Sequence, residues 1–166
     1  MIYTFRKATN RDVETVFSLV KKRILWMDQN GIKQWNVTGY LEAYPIEYYK
    51  MQEQQGHLYV LHDQAETVVG AVVLLEEDDR WTDRMDSSAF YIHNLVTDSE
   101  AHGAGSFLIE ETEKMAIQSG KEFIRLDCAA DNYFLNQYYE DHGYLLAGTC
   151  KDGPYIGNRR EKKLRW

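Results

Sequence analysis

Leu95-Val96-Thr97-Asp98-Ser99-Glu100-Ala101-His102-Gly103-Ala104-Gly105-Ser106 is the stretch on which the reading of this chain turns. It opens as the end of a strand predicted over Phe90–Val96 and closes at the start of a helix predicted over Phe107–Ser119. The loop between them carries Gly103 and Gly105. A strand, a glycine-bearing loop and a helix N-terminus, in that order, form a place for an anion. The first N–H groups of a helix have no partner within it. They carry the positive end of the helix dipole, and glycine allows a phosphate close approach. Taken alone, the Gly103-x-Gly105 pair is equally the mark of a flexible turn.

Working outward, Ile2–Lys7 reads as a strand, and Thr9 with Asp12 three residues later reads as a capping box. Val13, Val16, Phe17, Val20, Ile24 and Met27 then recur at helical spacing, up to a stop at Asn30-Gly31. Thr38 is expected to cap a second helix running through Tyr44 to Met51, with Pro45 opening its regular part or lying in its first turn and Gly56 at its end. His57–His62 and Thr67–Leu75 read as a strand pair turned at Asp63–Glu66, and Gly70 marks a bulge or a close backbone approach. The acidic segment Glu76–Ser88 is expected to be a mobile, solvated loop. Beyond the helix, Glu122–Cys128 is a strand, Asp131 or Asn132 caps a short aromatic helix Tyr133–Asp141, and Tyr144–Cys150 and Arg159–Leu164 are the last strands. A long hairpin loop, Lys151–Asn158, is expected to join those two. Strand, two helices, three strands, helix, strand, helix, two strands implies a central sheet with antiparallel hairpins and a few helical crossovers. It is not a repeating βα unit, which disfavours a Rossmann fold or a barrel.

The 166 residues suit one domain over 1–166. Neither a leader-like apolar core at the start nor a run near the ~20 residues of a membrane span is present. The expectation is therefore a soluble, cytoplasmic protein without a membrane partner. Cys128 and Cys150 fit a reduced compartment, and neither a CxxC nor a Cys/His cluster points to a metal. A net charge of −7 argues against nucleic acid and mildly favours a cationic small molecule or peptide. The expected state is monomer or homodimer.

Several separated features together resemble the GNAT (GCN5-related) N-acetyltransferases. Arg6-x-Ala8-Thr9-x-x-Asp12 looks like that family's first strand and helix cap, and the Val-Val-Gly-Ala-Val run around Gly70 like its third strand. Ile92-His93-Asn94-Leu95-Val96 followed by Gly103-x-Gly105 resembles the fourth strand and the acyl-CoA pyrophosphate loop. Leu126-Asp127 to Asn132, then Tyr138-Tyr139-Glu140-x-x-Gly143-Tyr144, resembles the fifth strand and fourth helix. The resemblance implies an α+β fold in three layers (α-β-α), with a central mixed, mostly antiparallel sheet flanked by helices. It implies acetyl-CoA as co-substrate, no metal, and an amine of a small molecule or peptide as acceptor. One departure stands out. Glu100 occupies the position where the family commonly has Gln or Arg, so an anion there must be held by the backbone of Ala101, His102, Gly103, Ala104, Gly105 and Ser106. A protonated His102 would restore some charge.

Acetyl transfer to an amine needs a neutral nucleophile, a stabilised oxyanion and a proton for the leaving thiolate. By resemblance, the acyl-CoA arm lies between the fourth and fifth strands, which splay apart. The backbone at Asn94, Leu95 and Val96 would polarise the carbonyl, Asn132 would contact the pantetheine arm, and Tyr139 would protonate the sulfur. Tyr138 matches an apolar core position instead. The base stays open between His93, Glu76 or Glu77, and a water chain. Strand alternation groups His93 with Tyr91 and Leu95, away from Ile92 and Asn94. The acceptor pocket would draw on Trp26–Tyr40 and Asp152–Asn158, with Trp35, Tyr40 and Tyr155 as substrate contacts. Trp35, Tyr40, Tyr44, Tyr48 and Tyr49 form either a packing interface or a pocket wall. Cys128 reads as an apolar strand filler rather than a nucleophile. The Glu100 departure and the open base keep a second reading alive, a non-catalytic acyl-CoA-binding sensor. A nucleotide loop lacks its Gly-Lys-Ser/Thr ending.

Overall fold

The strand order explains how so short a chain combines hairpins with helical crossovers. The computed structural model describes residues 2–164. The expected domain over 1–166 also takes in Met1, Arg165 and Trp166, which lie outside the described residues. The strands are β1 Thr4–Lys7, β2 Leu58–His62, β3 Val68–Leu75, β4 Ala89–Thr97, β5 Phe123–Ala129, β6 Leu145–Asp152 and β7 Tyr155–Lys163. The helices are α1 Val13–Gln29, α2 Tyr40–Ala43, α3 Ile46–Gln54, α4 Ala104–Gln118 and α5 Tyr133–Asp141, and single 3-10 stretches occupy Asn10–Asp12 and Asp79–Arg84. The seven strands form one sheet in the order β1-β2-β3-β4-β5-β7-β6. The β1/β2, β2/β3, β5/β7 and β6/β7 pairs are antiparallel, while β4 and β5 run parallel. This mixed sheet with its helices is an α+β fold. The β4/β5 register runs from Ala89↔Phe123 to Tyr91↔Arg125, whereas β4 itself continues to Thr97 and β5 to Ala129. No helix among the described residues is long and apolar enough to cross a membrane.

Two compact units share the chain, one holding the residues up to Leu74 with Asn94–Glu111, the other Leu75–His93 with the chain from Thr112 onward. In the first, Val13, Val16, Leu19, Val20 and Met27 of α1 are buried, so the face read from the 3.6-residue period is core. The cap at its start is formed: Asp12 accepts the Thr9 N–H at 2.7 Å and Arg6 at 2.7 and 3.1 Å. Gly70 carries both expected features. A Cβ there would lie 3.3 Å from the Val96 carbonyl oxygen, and the β2/β3 register shifts beside it, between Leu61 and His62. The expected helix over 38–51 is two helices. Gly39, at φ 68°, rather than Thr38, precedes α2, and Pro45 opens α3 because its fixed φ suits the position before the first turn.

The second unit departs more from expectation. Glu76–Ser88 is solvated along much of its length, as expected, but it is not all loop. Its 3-10 stretch buries Trp81 completely, with the Arg125 and Arg159 guanidinium groups at 5.0 and 4.8 Å from the ring. Arg159 donates to Asp83 at 2.6 and 3.0 Å, and Arg84 to Glu161 at 2.6 Å. Asp83 and Arg84, which look like part of a solvated face in one dimension, are here ion-paired to β7. The loop expected over 151–158 is a tight hairpin with Asp152 opposite Tyr155, leaving Gly153-Pro154 at its tip. The polar residues of that stretch are edge-hairpin residues, so alternation is a poor guide to them. A register shift near Gly148 (φ 119°) makes room for Arg159, whose Nη2 would lie 2.6 Å from a Cβ at that glycine.

Candidate active site

In the first unit the site is built where β4 ends. Asn94 sits inside the strand at φ 52°. A left-handed residue other than glycine costs roughly 1–2 kcal/mol, and asparagine tolerates it best. It interrupts the strand's alternation: Tyr91 and Ile92 are both buried, and His93, Asn94 and Leu95 are all half-buried. The expected grouping of side chains by strict alternation therefore ends at this residue. The Asn94 amide is bonded at both ends, receiving Tyr48 Oη–H at 2.7 Å and donating to Tyr40 Oη at 2.6 Å. Tyr40 stacks on Trp35 at 4.2 Å and meets Tyr44 at 4.8 Å, and Tyr44 leads on to Tyr48 at 4.9 Å. Burial raises the Tyr40 phenol's pKa well above its ordinary value, so it stays a neutral hydrogen-bonding group. Trp35, Tyr40 and Asn94 are thus brought together, as sequence reasoning placed them only in separate roles.

Past Thr97 the loop ties itself down with few bonds. Asp98 donates its N–H to Val69 O at 2.7 Å and accepts the Glu100 N–H on its side chain at 2.9 Å. The Ala101 and Ala104 N–H groups bond within the loop, to Asp98 O and Ala101 O. Those two expected anion donors are already committed. Tyr3 Oη–H holds the His102 carbonyl at 2.7 Å. Among the described residues, the N–H groups of His102, Gly103 and Gly105 donate to nothing. Gly103 takes φ 75°, and a Cβ at either glycine would meet nothing within 4 Å, so both face open space. α4 begins at Ala104, three residues before the expected start, which places Gly105 and Ser106 in its first turn. Glu100 is exposed, so its carboxylate is not packed into the loop. A basic group does reach the loop's beginning: Arg23 of α1 donates to Thr97 O at 2.6 Å, with burial lowering its pKa and Asp98 opposing that shift.

In the second unit α5 carries two of the expected residues. Asn132 caps the helix, its side-chain oxygen accepting the Leu135 N–H at 3.0 Å, which leaves its Nδ2 to point elsewhere. Tyr139 is buried, edge-on to Tyr138 and Tyr144, and its hydroxyl has no hydrogen-bond partner among the described residues. Burial raises its phenol's pKa. It therefore keeps its proton across the physiological range, as a general acid must. Burial also lifts the Cys128 thiol to about 11, so this strand cysteine stays protonated and is no thiolate nucleophile. Asn136 anchors the α5/β7 junction, accepting Asn158 at 2.9 Å and Arg160 at 3.1 Å and donating to Ala129 O at 3.0 Å.

His93, on the same unit's part of β4, pairs its Nε2 with Asp78 at 2.8 Å. Burial acts to raise the Asp78 carboxyl. The His93 hydrogen bond and charge, with the Arg80 amide and guanidinium, outweigh that and hold it below its ordinary value. An ionised Asp78 fixes the orientation of the imidazole through Nε2 and turns Nδ1 away from the carboxylate. Tyr155 donates to Asp127 at 2.6 Å, and Asp127 also takes Arg80 at 3.1 Å on each oxygen. Burial and the Asp127 charge raise the Tyr155 phenol's pKa. Sequence reasoning missed Asp78 and Arg80, and placed Tyr48 only in an aromatic cluster, because hydrogen bonds between residues 15 to 72 apart leave no local pattern. No group of three or more His, Cys, Asp or Glu suited to a metal ion occurs among the described residues.

Residues 28–144 match the model of the acetyltransferase (GNAT) family. YesJ, an uncharacterized N-acetyltransferase of Bacillus subtilis (strain 168), is 28% identical over 157 residues, covering 90% of this chain and 85% of its own. A GNAT-family acetyltransferase structure from Listeria monocytogenes 4b F2365 superposes with a TM-score of 0.82 at 23% identity, covering 98% of this chain and 95% of that one. The PaiA N-acetyltransferase of Thermoplasma acidophilum, solved in complex with coenzyme A, gives 0.76 at 18% identity, covering 98% and 99%.

Proposed function

The chain belongs to the GNAT acetyltransferase family, and from that premise we propose that it moves an acetyl group from acetyl-CoA to a primary amine of a small molecule or peptide. The amine attacks directly, with both substrates bound. The observation that carries this reading is the β4–α4 loop. The His102, Gly103 and Gly105 N–H groups stand open, and the two glycines leave the space in front of them unfilled. Backbone donors at the start of a 15-residue helix hold a pyrophosphate without a basic side chain. Glu100 is exposed, and in this reading backbone N–H groups, not its side chain, meet the anion.

The remaining residues divide the chemistry. The amine nitrogen bonds to the thioester carbon, the C–S bond breaks, and the nitrogen's extra proton leaves to a base. Backbone at Leu95 and Val96, turned by the left-handed Asn94, would meet the carbonyl oxygen as it takes on charge. Asn132 Nδ2 would bond the pantetheine arm. Tyr139, protonated and with its hydroxyl uncommitted, would give its proton to the departing thiolate. His93, oriented by Asp78, would take the proton of the incoming ammonium, and Trp35, Tyr40 and Tyr155 would contact the acceptor.

Incubating the protein with acetyl-CoA and a panel of amines, and measuring free thiol, tests the reading. Thiol released with one amine class and not without it supports transfer. Tight acetyl-CoA binding with no thiol release across small amines, amino acids and peptides would overturn it in favour of a sensor.

A further inference from the structure

Left-handed asparagines are ordinarily held by hydrogen bonds to their own neighbourhood. The partners of Asn94 lie 46 and 54 residues away in sequence, on α3 and α2. Each end of its amide meets one tyrosine hydroxyl, so the side chain cannot rotate without breaking both bonds. The tyrosines are themselves fixed. Tyr40 is buried and packed against Trp35 and Tyr44, and Tyr48 sits between Tyr44 at 4.9 Å and the fully buried Tyr49 at 5.2 Å. The conformation of one strand residue is thereby set by the segment from Trp35 to Tyr49.

We propose that Tyr40 and Tyr48 are positioning residues for acetyl transfer: they clamp Asn94 in its left-handed conformation and so aim the Leu95 and Val96 backbone at the thioester carbonyl. This rests on the reading that the acyl arm lies along Asn94–Val96. The clamp acts through Asn94 and touches no reacting atom. With each end of its amide engaged by a tyrosine, Asn94 serves by its backbone shape rather than by offering its side chain to a substrate. The same aromatic ladder carries Trp35, so an acceptor resting on that ring would press on the group that shapes the acyl site.

The test compares CoA with acetyl-CoA, which differ by the carbonyl concerned. Affinities come from calorimetry, and kcat and KM from thiol release with an accepted amine. Asn94→Ala, which disfavours the left-handed conformation and removes the clamp, is expected to weaken acetyl-CoA about tenfold and CoA less than twofold. It should lower kcat by a similar factor with little change in the amine KM. Asn94→Gly adopts the conformation unaided and should keep most of both. Tyr48→Phe should weaken acetyl-CoA about fivefold in the natural background and have no effect in the Asn94→Gly background. Equal losses in Asn94→Ala and Asn94→Gly would mean that the amide itself binds substrate. A Tyr48→Phe loss that persists beside Asn94→Gly would mean that Tyr48 meets the acceptor directly. Either result overturns the clamp. If the natural protein binds neither CoA nor acetyl-CoA, the acyl-CoA reading itself fails, and the inference falls with it.

Discussion

Two acidic segments of this chain, Glu76–Ser88 and Asp98–Gly105, look alike in one dimension and differ in three. Each flanks β4, and each contains an aspartate that takes a backbone N–H on its side chain: Asp78 from Arg80, Asp98 from Glu100. In the first, several charged side chains are paired. Asp78 holds His93, Arg80 holds Asp127 and Asp152, Asp83 holds Arg159, and Trp81 is sealed beneath. In the second, the N–H groups of His102, Gly103 and Gly105 stay open among the described residues. Buried or close-packed polar groups normally find partners. Donors left open at the start of a helix are what the proposed anion site rests on, whereas the paired groups of the first segment tie it to the sheet. Charge content does not separate the two; the fate of each donor does.

That contrast makes graded predictions. Tyr139, whose hydroxyl is also uncommitted, should behave like the open loop: Tyr139→Phe is expected to cut kcat by about a hundredfold while acetyl-CoA affinity and Tm stay near the natural values. An unchanged rate would remove Tyr139 from the chemistry. Gly105→Val fills the cradle without forcing a positive φ, since a Cβ there meets nothing in the protein. Calorimetry should show acetyl-CoA weakened by roughly thirtyfold or more, with the far-UV spectrum intact; undiminished binding would show that the anion sits elsewhere. The committed segment should show the reverse. Trp81→Leu is expected to cost about 2–3 kcal/mol in urea unfolding, with acetyl-CoA affinity in the folded fraction changed less than twofold. A variant of natural stability would contradict the packing described for Trp81.

The smallest effect concerns the cap of α1. Arg6's hydrogen bond, against the opposing effect of burial, holds the Asp12 carboxyl below its ordinary value. A depressed folded pKa means stabilisation that is complete above the unfolded value of about 3.9 and lost as pH falls through the lower folded one. Asp12→Asn should therefore cost about 1 kcal/mol at pH 7, and the gap to the natural protein should close only below about pH 4. A gap that stays constant down to pH 2 would mean the carboxylate's charge is irrelevant to the cap.

Much of this was legible in the residues because it rests on local rules. The Thr9/Asp12 cap, the α1 face, Gly70 against Val96, and the strand–loop–helix at Gly103 each follow from neighbours in sequence. What escaped depends on distant partners. Asn94's left-handed backbone is held by Tyr40 and Tyr48, and neither the spacing nor the composition of Tyr40–Tyr49 announces it. The Asp79–Arg84 stretch had one signal, a lone tryptophan amid charges, and its ion partners lie on β7. The turn at Gly153-Pro154 was hidden because polar edge-hairpin residues imitate a loop.

Trp81 also makes the molecule its own optical instrument. It is fully buried, and its indole N–H has no hydrogen-bond partner among the described residues. Trp35 lies half-buried on Tyr40, in the segment proposed to meet the acceptor. With Trp26 and Trp166 replaced by Phe, a soluble quencher reaches Trp35 and not Trp81. Emission from the shielded indole then supplies an internal reference, against which an amine settling on Trp35 can be followed in this unlabelled two-tryptophan protein.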